Sequence, residues 1–260
     1  MNILYPVAGF TVGTIVGLTG VGGGSLMTPL LVLLFGVSPA VAVGTDLLYA
    51  SITKAGGTLA HSLKGTVDWA IARSLACGSL PAAALTLWAM QTFFPGGLGD
   101  AKGLISLSLG IALLLTAVSL IFRQRIQAFA QRHAPAKPNP RRTFWLTVFT
   151  GALLGVLVTI SSVGAGALGV TALFFLYPHL PAHRIVGSDI AHAVPLTMVA
   201  GFGHWLLGGI DWILLGSLLI GSLPGIWIGS HISAKVPEKV LRPILAGMLV
   251  LIGAKLIAAH

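Results

Sequence analysis

Two aspartates stand in apolar surroundings at matching positions of this chain. Asp46 belongs to Gly44-Thr45-Asp46, and Asp189 belongs to Gly187-Ser188-Asp189. An ionisable group inside a membrane is costly and usually faces a cavity or a partner, so this pair could bind protons or cations. The alternative is that both triplets cap helices that start after a kink, with the aspartate as an ordinary capping residue.

Histidines follow both aspartates along the chain. His61 and His204 end the helices that are predicted to begin near the aspartates, and a histidine there can relay protons because it titrates near neutral pH. A histidine at a helix C-terminus is also favoured by the helix dipole alone. His192 lies three residues after Asp189, so the two share a helix face. It has no counterpart in the first half, where Tyr49 stands, which makes it a candidate contact for substrate or a proton.

Glycine runs interrupt two long apolar stretches. They are Gly22–Gly24 and, in the second half, Gly164-Ala165-Gly166. A helix that begins just after such a break directs its free N–H groups and its positive dipole end toward the break. Two such breaks near the bilayer midplane would bind an anion without a fixed positive side chain. The alternative is close helix packing, which is how we interpret Gly9, Gly13 and Gly17, spaced four residues apart.

Lys54 is the one basic residue near this set. It lies eight residues after Asp46, two turns along roughly the same helix face. A lysine in an apolar helix needs a partner or an interface toward which it can extend. It could pair with Asp46, or it could attract an anion.

Composition sets the environment in which these residues work. Apolar residues make up 55% of the chain and charged residues 8%, with a mean hydropathy of +0.95. Apolar stretches of about 20 residues recur, which is the length that crosses the hydrocarbon core of a bilayer. The net charge of +9 is concentrated in loops, as in cytoplasmic loops of membrane proteins, and does not indicate nucleic-acid binding. Cys77 is the only cysteine, so no internal disulfide can form.

The fold predicted from this pattern is an all-α integral membrane protein with two inverted repeats. Each repeat is a glycine-broken helical hairpin followed by three transmembrane helices. Residues 1–122 form the first repeat, 123–142 a basic cytoplasmic linker and 143–260 the second repeat. The predicted helices are a broken pair near Ile3–Phe35, then Pro39–His61, Trp69–Phe93 and Lys102–Phe122, and again a broken pair near Thr143–Tyr177, then Arg184–Leu206, Asp211–Ile232 and Val240–Ala258.

Loop charges favour the inverted arrangement over a parallel one. With the basic linker in the cytoplasm, the loop with Lys64 lies inside, and its uncharged repeat partner 207–210 lies outside. Arg184, Lys235 and Lys239 also lie inside, whereas a parallel repeat would place them outside. Only Lys102 lies on the outer side.

The glycine run and its surroundings resemble the TauE/SafE family, the sulfite and organosulfonate exporter-like membrane proteins. The resemblance spans almost the whole chain. Its carriers are Gly17-Leu18-Thr19-Gly20-Val21-Gly22-Gly23-Gly24-Ser25-Leu26, Pro29-Leu30-Leu31, Ala42-Val43-Gly44-Thr45, and a weaker second copy that starts at Val163. The resemblance implies a carrier of small oxyanions such as sulfite or sulfonates. Many members of the family have an uncharged residue after the Gly-Thr pair, so Asp46, His192 and Lys54 could mark a subgroup with another substrate or coupling ion.

These observations predict a secondary transporter in the inner membrane that moves a small sulfur-containing anion by alternating access, linked to protons. Its partners are then the anion, protons and the lipid bilayer, with a homodimer as one option and with no cofactor and no catalytic residues. Alternatives are a cation or metal carrier that uses the paired aspartates, and an intramembrane enzyme or sensor. The predicted substrate contacts are Gly22, Gly23, Gly24, Ser25, Gly164, Ala165, Gly166, Thr45, Ser188 and His192, and the predicted proton-handling residues are Asp46, Asp189, His61 and His204.

Overall fold

Helices make up nearly all of the described chain. A computed structural model describes residues 4–19, 24–94, 97–134, 139–232 and 238–258, in which there are ten α-helices, one 3-10 turn at Gly97–Gly99 and no strand. The helices are α1 Leu4–Thr19, α2 Gly24–Leu34, α3 Pro39–Leu63, α4 Trp69–Phe93, α5 Lys102–Arg132, α6 Pro140–Ser161, α7 Ala167–Leu176, α8 Ala182–Leu206, α9 Trp212–Ile232 and α10 Glu238–Ala258.

Five of these described helices are long and apolar enough to cross a membrane. Four of them are α4, α5, α6 and α8, and the fifth is the Trp212–Gly229 part of α9. Each presents large apolar side chains to the outside; Trp88, Phe149 and Trp227 are all more than 60% exposed. The outside of the bundle is apolar, as it must be in lipid, where backbone polar groups have to be satisfied inside each helix.

Polar residues next to the apolar runs start several helices. The Asp68 carboxylate accepts hydrogen bonds from the Ala70 and Ile71 N–H groups and caps α4. Asp211 accepts a hydrogen bond from the Leu214 N–H at the start of α9. These two aspartates cap their helices, and each stands directly before the first helical residue, Trp69 or Trp212.

Backbone-to-backbone packing joins the helices of the two halves. Helix α1 packs along α9, and α6 packs along α4. At each contact, glycines let one helix backbone approach the other: a Cβ atom at Gly78 would collide with the Val148 carbonyl oxygen, and one at Gly221 would collide with the Pro6 carbonyl oxygen. The same holds for Gly9 and Gly13, which would meet the Leu218 and Ser222 carbonyl oxygens, so their interpretation as packing glycines is confirmed.

Helices α3 and α8 pack against each other, each beside the loop that follows the other. A Cβ atom at Gly44 on α3 would collide with the Gly209 carbonyl oxygen, just after α8. In the same way, a Cβ atom at Gly187 on α8 would meet the Thr66 carbonyl oxygen, just after α3, at 2.7 Å. The two helices therefore run antiparallel, each with its first turns beside the other's C-terminal loop.

Two expectations from the sequence differ from the structure. Helix α5 continues through Arg123 and Arg125 to Arg132, and α6 begins at Pro140, so 123–132 and 140–142 of the predicted linker are helical. A helix does not have to end where the apolar stretch ends, because charged residues continue it readily in water. The capping interpretation of Asp46 and Asp189 is wrong, because α3 begins at Pro39 and α8 at Ala182 and both aspartates lie inside their helices.

The second glycine run forms a break between α6 and α7. Helix α6 ends at Ser161, and Ser162, Gly164 and Gly166 have φ angles of 59°, 128° and 122°. Only glycine adopts the last two angles at little cost. Helix α7 then begins at Ala167, as predicted. Of the first run, Gly24 begins α2 and Ser25 follows it, whereas Gly22 and Gly23 lie outside the described residues.

Candidate functional site

A buried lysine reaches from α3 to the break between α6 and α7. Lys54 is only 5% exposed, and its Nζ atom donates a hydrogen bond to the Ala165 carbonyl oxygen at 3.1 Å. Ala165 stands between two glycines with positive φ, just before α7 begins, so its carbonyl belongs to the irregular backbone of the break. An ammonium group at this depth must be compensated by nearby acceptors or negative charges.

Asp46 ties α3 to α2 and to the same break. Its Oδ2 atom accepts hydrogen bonds from the Thr28 hydroxyl at 2.5 Å and from the Ser162 hydroxyl at 2.9 Å. The residue is fully buried, and its Oδ1 atom has no hydrogen-bond partner in the described part of the chain. Asp46 is thus held firmly through one oxygen.

Asp189 lies on α8 against the first turn of α7, and it is held much less firmly. It is fully buried, and neither carboxylate oxygen makes a hydrogen bond of good geometry within the described residues. The Gly166 N–H group lies close by, and one carboxylate oxygen lies where a Cβ atom of Gly169 would be. The positive end of the α7 dipole therefore faces this carboxylate.

Lys54 is attracted by both aspartates but contacts neither. Each carboxylate interacts electrostatically with the ammonium group, and no ion pair within 4.0 Å joins Lys54 to either one in the described structure. One cation and two carboxylates leave an excess negative charge when all three are ionised. Such a buried excess is costly, and a bound proton or cation would remove it.

His192 adds a polar side chain next to this group. It is buried on α8, its Nε2 atom is 2.8 Å from the Ser79 hydroxyl on α4, and its Nδ1 atom has no partner among the described residues. Lys54 is near enough to interact electrostatically with it. At the matching place of the first half, Tyr49 faces Ser222. The two halves thus share the position and differ in its chemistry.

Thr45 and Ser188 join the halves through the backbone. The Thr45 hydroxyl accepts a hydrogen bond from the Asp211 N–H at 3.2 Å, and the Ser188 hydroxyl accepts one from the Asp68 N–H at 2.8 Å. Arg184 reinforces the second contact with an ion pair to Asp68 at 3.1 Å. The Thr45 hydroxyl therefore joins α3 to the loop before α9, and the Ser188 hydroxyl joins α8 to the loop before α4. Their predicted contact with substrate stays a prediction.

His61 and His204 lie at the ends of α3 and α8. The His61 Nδ1 atom is 2.8 Å from the Thr66 hydroxyl, beside the loop that follows α3. His204 is fully buried, and its Nε2 atom donates to the Thr159 carbonyl oxygen at 2.9 Å. In the described structure neither histidine is hydrogen-bonded to an aspartate. Their predicted role in proton transfer stays a prediction, separate from the group around Lys54.

A small crevice opens beside the break. It is lined by Ser119 and Arg123 on α5 and by Gly166, Ala167 and Val170 at the start of α7. The Ser119 hydroxyl donates to the Ala167 carbonyl oxygen at 3.2 Å and also contacts the Thr171 hydroxyl, while the Arg123 guanidinium lies 5.7 Å from the centre of the Phe174 ring. The crevice therefore carries a cation and ends at the break near Asp189.

Several residues of the site were not identified from the sequence. Thr28, Ser79, Ser162 and Gly169 contact the charged residues from other helices. Ser79 was signalled by the repeated Gly-Ser-Leu-Pro motif at 78–81 and 221–224. The others had no sequence signal, because each acts through a contact with a distant segment.

Asp46 and Asp189 are the acidic side chains of the described site. Within the described residues, no group of three or more His, Cys, Asp or Glu side chains is placed to hold a metal ion. The two buried aspartates are joined electrostatically by a lysine, which competes with a metal cation for the same carboxylates.

Comparisons with known proteins agree with the membrane character of the bundle. The sequence profile of the family described as Sulfite exporter TauE/SafE matches residues 5–256. A "Probable membrane transporter protein YjnA" of Bacillus subtilis is 38% identical over 99% of this chain and 100% of its own length. Two more distant relatives are similar over most of their length: YdhB of Bacillus subtilis, 28% identical over 93% of this chain and 97% of its own, and MJ0441 of Methanocaldococcus jannaschii, 23% identical over 96% and 93%. Both are also described as probable membrane transporters. No solved structure matches the chain.

Proposed function

The chain belongs to the Sulfite exporter TauE/SafE family of multi-pass membrane transporters, and we propose that it moves a small sulfur-containing anion, together with protons, by alternating access. The family name supports the sulfur oxyanion as substrate class. The observation that carries the proposal is the buried group of Lys54, Asp46 and Asp189 at the break between α6 and α7.

We base the alternating-access part on two inverted repeats. Equivalent contacts occur in both halves: α1 with α9 corresponds to α6 with α4, and the Thr45–Asp211 hydrogen bond corresponds to the Ser188–Asp68 hydrogen bond. Helices α3 and α8, one from each half, pack against each other in antiparallel orientation and carry Lys54, Asp46 and Asp189. Repeats of this kind let a transporter expose one central site to either side by rocking one half against the other.

An anion suits this site for two reasons. Lys54 supplies a buried positive charge, and the first turn of α7 supplies N–H groups and the positive end of a helix dipole. Two neighbouring carboxylates would repel an anion unless a proton neutralises one of them. An anion carrier built on this group is therefore expected to bind a proton with its substrate.

A metal or other cation carrier is the second candidate, and the unpartnered oxygens of Asp46 and Asp189 are what favours it. Lys54 argues against it, because the ammonium group already supplies a positive charge between the carboxylates.

Transport by purified protein in liposomes tests the proposal. We expect uptake of radiolabelled sulfite that is driven by an inwardly directed proton gradient and abolished by a protonophore. Unlabelled sulfite and methanesulfonate should compete, and a divalent metal ion should not. A matched pair of variants tests the break: Gly166→Ala, which places a side chain at a φ of 122°, should reduce uptake at least about tenfold, because such a backbone costs 1–3 kcal/mol for other residues. Gly216→Ala, where a Cβ atom meets nothing within 4 Å, should have no effect.

The opposite pattern would contradict the proposal. If the protein takes up a divalent metal ion and not sulfite, the aspartates bind a cation. If Gly166→Ala transports as fast as the wild type while correctly inserted, the break is not part of the anion path.

A further inference from the structure

We propose that Asp189 and the transported anion occupy the same place in turn, beside Lys54 and the first turn of α7, so that the anion binds only when Asp189 is protonated. This inference rests on the proposed function and adds to it a binding residue, Lys54, and a mechanism of proton coupling. It assigns different tasks to the two aspartates, which the sequence places at equivalent positions.

The first step of the argument is that Asp189 lies in an anion site. Its carboxylate faces the positive end of α7, near the Gly166 N–H, and lies in the space that the missing side chain of Gly169 leaves. The Lys54 ammonium group attracts the same carboxylate electrostatically. A small oxyanion carries the same charge and the same kind of acceptor oxygens, so the surroundings that suit this carboxylate also suit the anion.

The second step is that Asp189 is free to give up this place. Both of its oxygens are buried and without a well-formed hydrogen bond among the described residues, so only the weak contact with the Gly166 N–H has to be given up when it moves or takes up a proton. Asp46 is different, because Thr28 and Ser162 both donate to its Oδ2 atom. Of the two carboxylates, Asp189 is the one that can be neutralised at the smaller cost.

The third step is that the Lys54 ammonium group can donate a hydrogen bond to the anion as well as to the protein. Its hydrogen bond in the described structure goes to the Ala165 carbonyl, and an ammonium group has three N–H donors. Lys54 also occurs in only one repeat: Thr197 stands at the equivalent place on α8, and its hydroxyl donates to the Ala193 carbonyl of its own helix. Among the described residues, Lys54 is therefore the one buried lysine or arginine, and it offers one positive charge to one anion.

The exchange balances in charge. In the empty state Asp189 is ionised and interacts with Lys54; in the loaded state a proton from the medium neutralises Asp189, and a singly charged anion, such as methanesulfonate or hydrogensulfite, replaces its negative charge. The other charged or titratable groups near this place are Asp46 on α3, His192 on α8 and Arg123 on α5, which lines the crevice beside Gly166. One proton accompanies each anion, and binding strengthens as the pH falls.

The test is anion binding to the purified full-length protein in nanodiscs, by calorimetry, at about pH 5 and about pH 8. The probes are sulfite and methanesulfonate; the second stays ionised across this range, so a change in its affinity reports the protein. Lys54→Met should weaken binding at least about thirtyfold at both pH values, and Lys54→Arg should retain most of it. Thr197→Val, the matched change in the other repeat, should bind like the wild type.

Asp189→Asn mimics the protonated state and separates coupling from binding. This variant should bind methanesulfonate at about pH 8 as tightly as the wild type does at about pH 5, with no remaining pH dependence. In liposomes it should exchange the anion but not accumulate it against a proton gradient. Asp46→Asn should keep the pH dependence of the wild type. Melting temperature and elution volume show whether each variant is folded.

The outcomes distinguish the inference from the function on which it rests. If the wild type binds neither anion, both fail. If the wild type binds an anion and folded Lys54→Met binds within about threefold of it, or if Asp189→Asn keeps its pH dependence, only the inference fails. Loss of pH dependence in Asp46→Asn with retention in Asp189→Asn would reverse the two roles and overturn the inference as well.

Discussion

At the scale of single residues, the absence of a side chain at Gly169 allows Asp189 to fit against α7. An ideal Cβ atom there would overlap the Asp189 Oδ1 atom. Gly169 is the third residue of a ten-residue helix, where glycine is less favourable than alanine by up to about 1 kcal/mol. The glycine therefore does not serve the helix itself, and its contact with the carboxylate is the reason that we see for its presence.

Gly169→Ala is expected to displace the Asp189 carboxylate and to impair transport. The added methyl group overfills a packed region, which typically costs about 1–3 kcal/mol of stability. In the double variant Gly169→Ala/Asp189→Ala the overlap is gone, so thermal unfolding should return toward that of Asp189→Ala alone, whereas transport should stay absent. Gly247→Ala on α10, where a Cβ atom meets nothing within 4 Å, is the control. Equal melting temperatures for Gly169→Ala and Gly247→Ala would contradict the contact.

The charged residues of the site could be identified from the sequence, but their arrangement could not. Asp46, Asp189, His192 and Lys54 stand out because polar residues are rare in so apolar a chain. The hydrogen bond from Lys54 to Ala165 joins positions more than a hundred residues apart and depends on how the halves pack. For the same reason, sequence reasoning gave the two aspartates equal roles, whereas Ser162 and Thr28 distinguish them in the fold.

At the scale of helices, glycines allow close contact between the paired helices α4 and α6 and between α9 and α1; we call these two contacts the seams. In α4 and α9, Gly78 and Gly221 lie against carbonyl oxygens of α6 and α1, so the backbones are in direct contact. Close approach of this kind replaces the hydrophobic effect as the source of helix association in lipid. The spacing of Gly9 and Gly13 predicted a packing surface on α1, although not its partner α9, because the partner belongs to the other half.

Gly78→Ala and Gly221→Ala are expected to destabilise the protein by similar amounts, because they interrupt equivalent seams. Each added methyl group meets a backbone carbonyl, which cannot turn away as a side chain can, so we expect a loss of about 1–3 kcal/mol for each. Gly216→Ala is the matched control in α9, five residues before Gly221, with open space around the position of the Cβ atom. Thermal unfolding in detergent measures all three. If Gly216→Ala is as unstable as Gly221→Ala, the loss of stability does not come from the close contact between the backbones of α9 and α1.

The starts of three helices were predicted where a local signal marks them: Pro39 begins α3, and Asp68 and Asp211 cap α4 and α9. Helix α6 begins at Pro140, after the capping residue Asn139, and so includes 140–142, which were predicted to belong to the linker. The end of α5 had no such signal, since neither glycine nor proline follows Phe122 until Pro135, and the helix continues to Arg132. The first basic residues mark where the membrane segment ends, which is a different boundary from the end of the helix.

At the scale of the whole molecule, the way the site is assembled supports the proposed opposite orientations of the two halves. Lys54 belongs to one half and the break that it contacts belongs to the other, and the antiparallel α3 and α8 bring them together. If the halves were parallel in the membrane, the loops after α3 and α8 would lie on the same side. In the structure the first turns of α3 lie beside the loop that follows α8, and the first turns of α8 lie beside the loop that follows α3. The two loops are therefore at opposite ends of the α3–α8 pair.

Cysteine labelling from one side of the membrane tests this orientation directly. In a Cys77→Ser background, which removes the only cysteine, we place single cysteines at Lys64 and at Leu207, the equivalent positions after α3 and α8. The basic residues 123–142 and Lys64 predict that the Lys64→Cys loop is cytoplasmic. A membrane-impermeant maleimide added to intact cells should then label Leu207→Cys and not Lys64→Cys, and in inside-out vesicles the pattern should reverse. Labelling of both cysteines from the same side would exclude inverted repeats. The proposal of alternating access would then lose its structural basis.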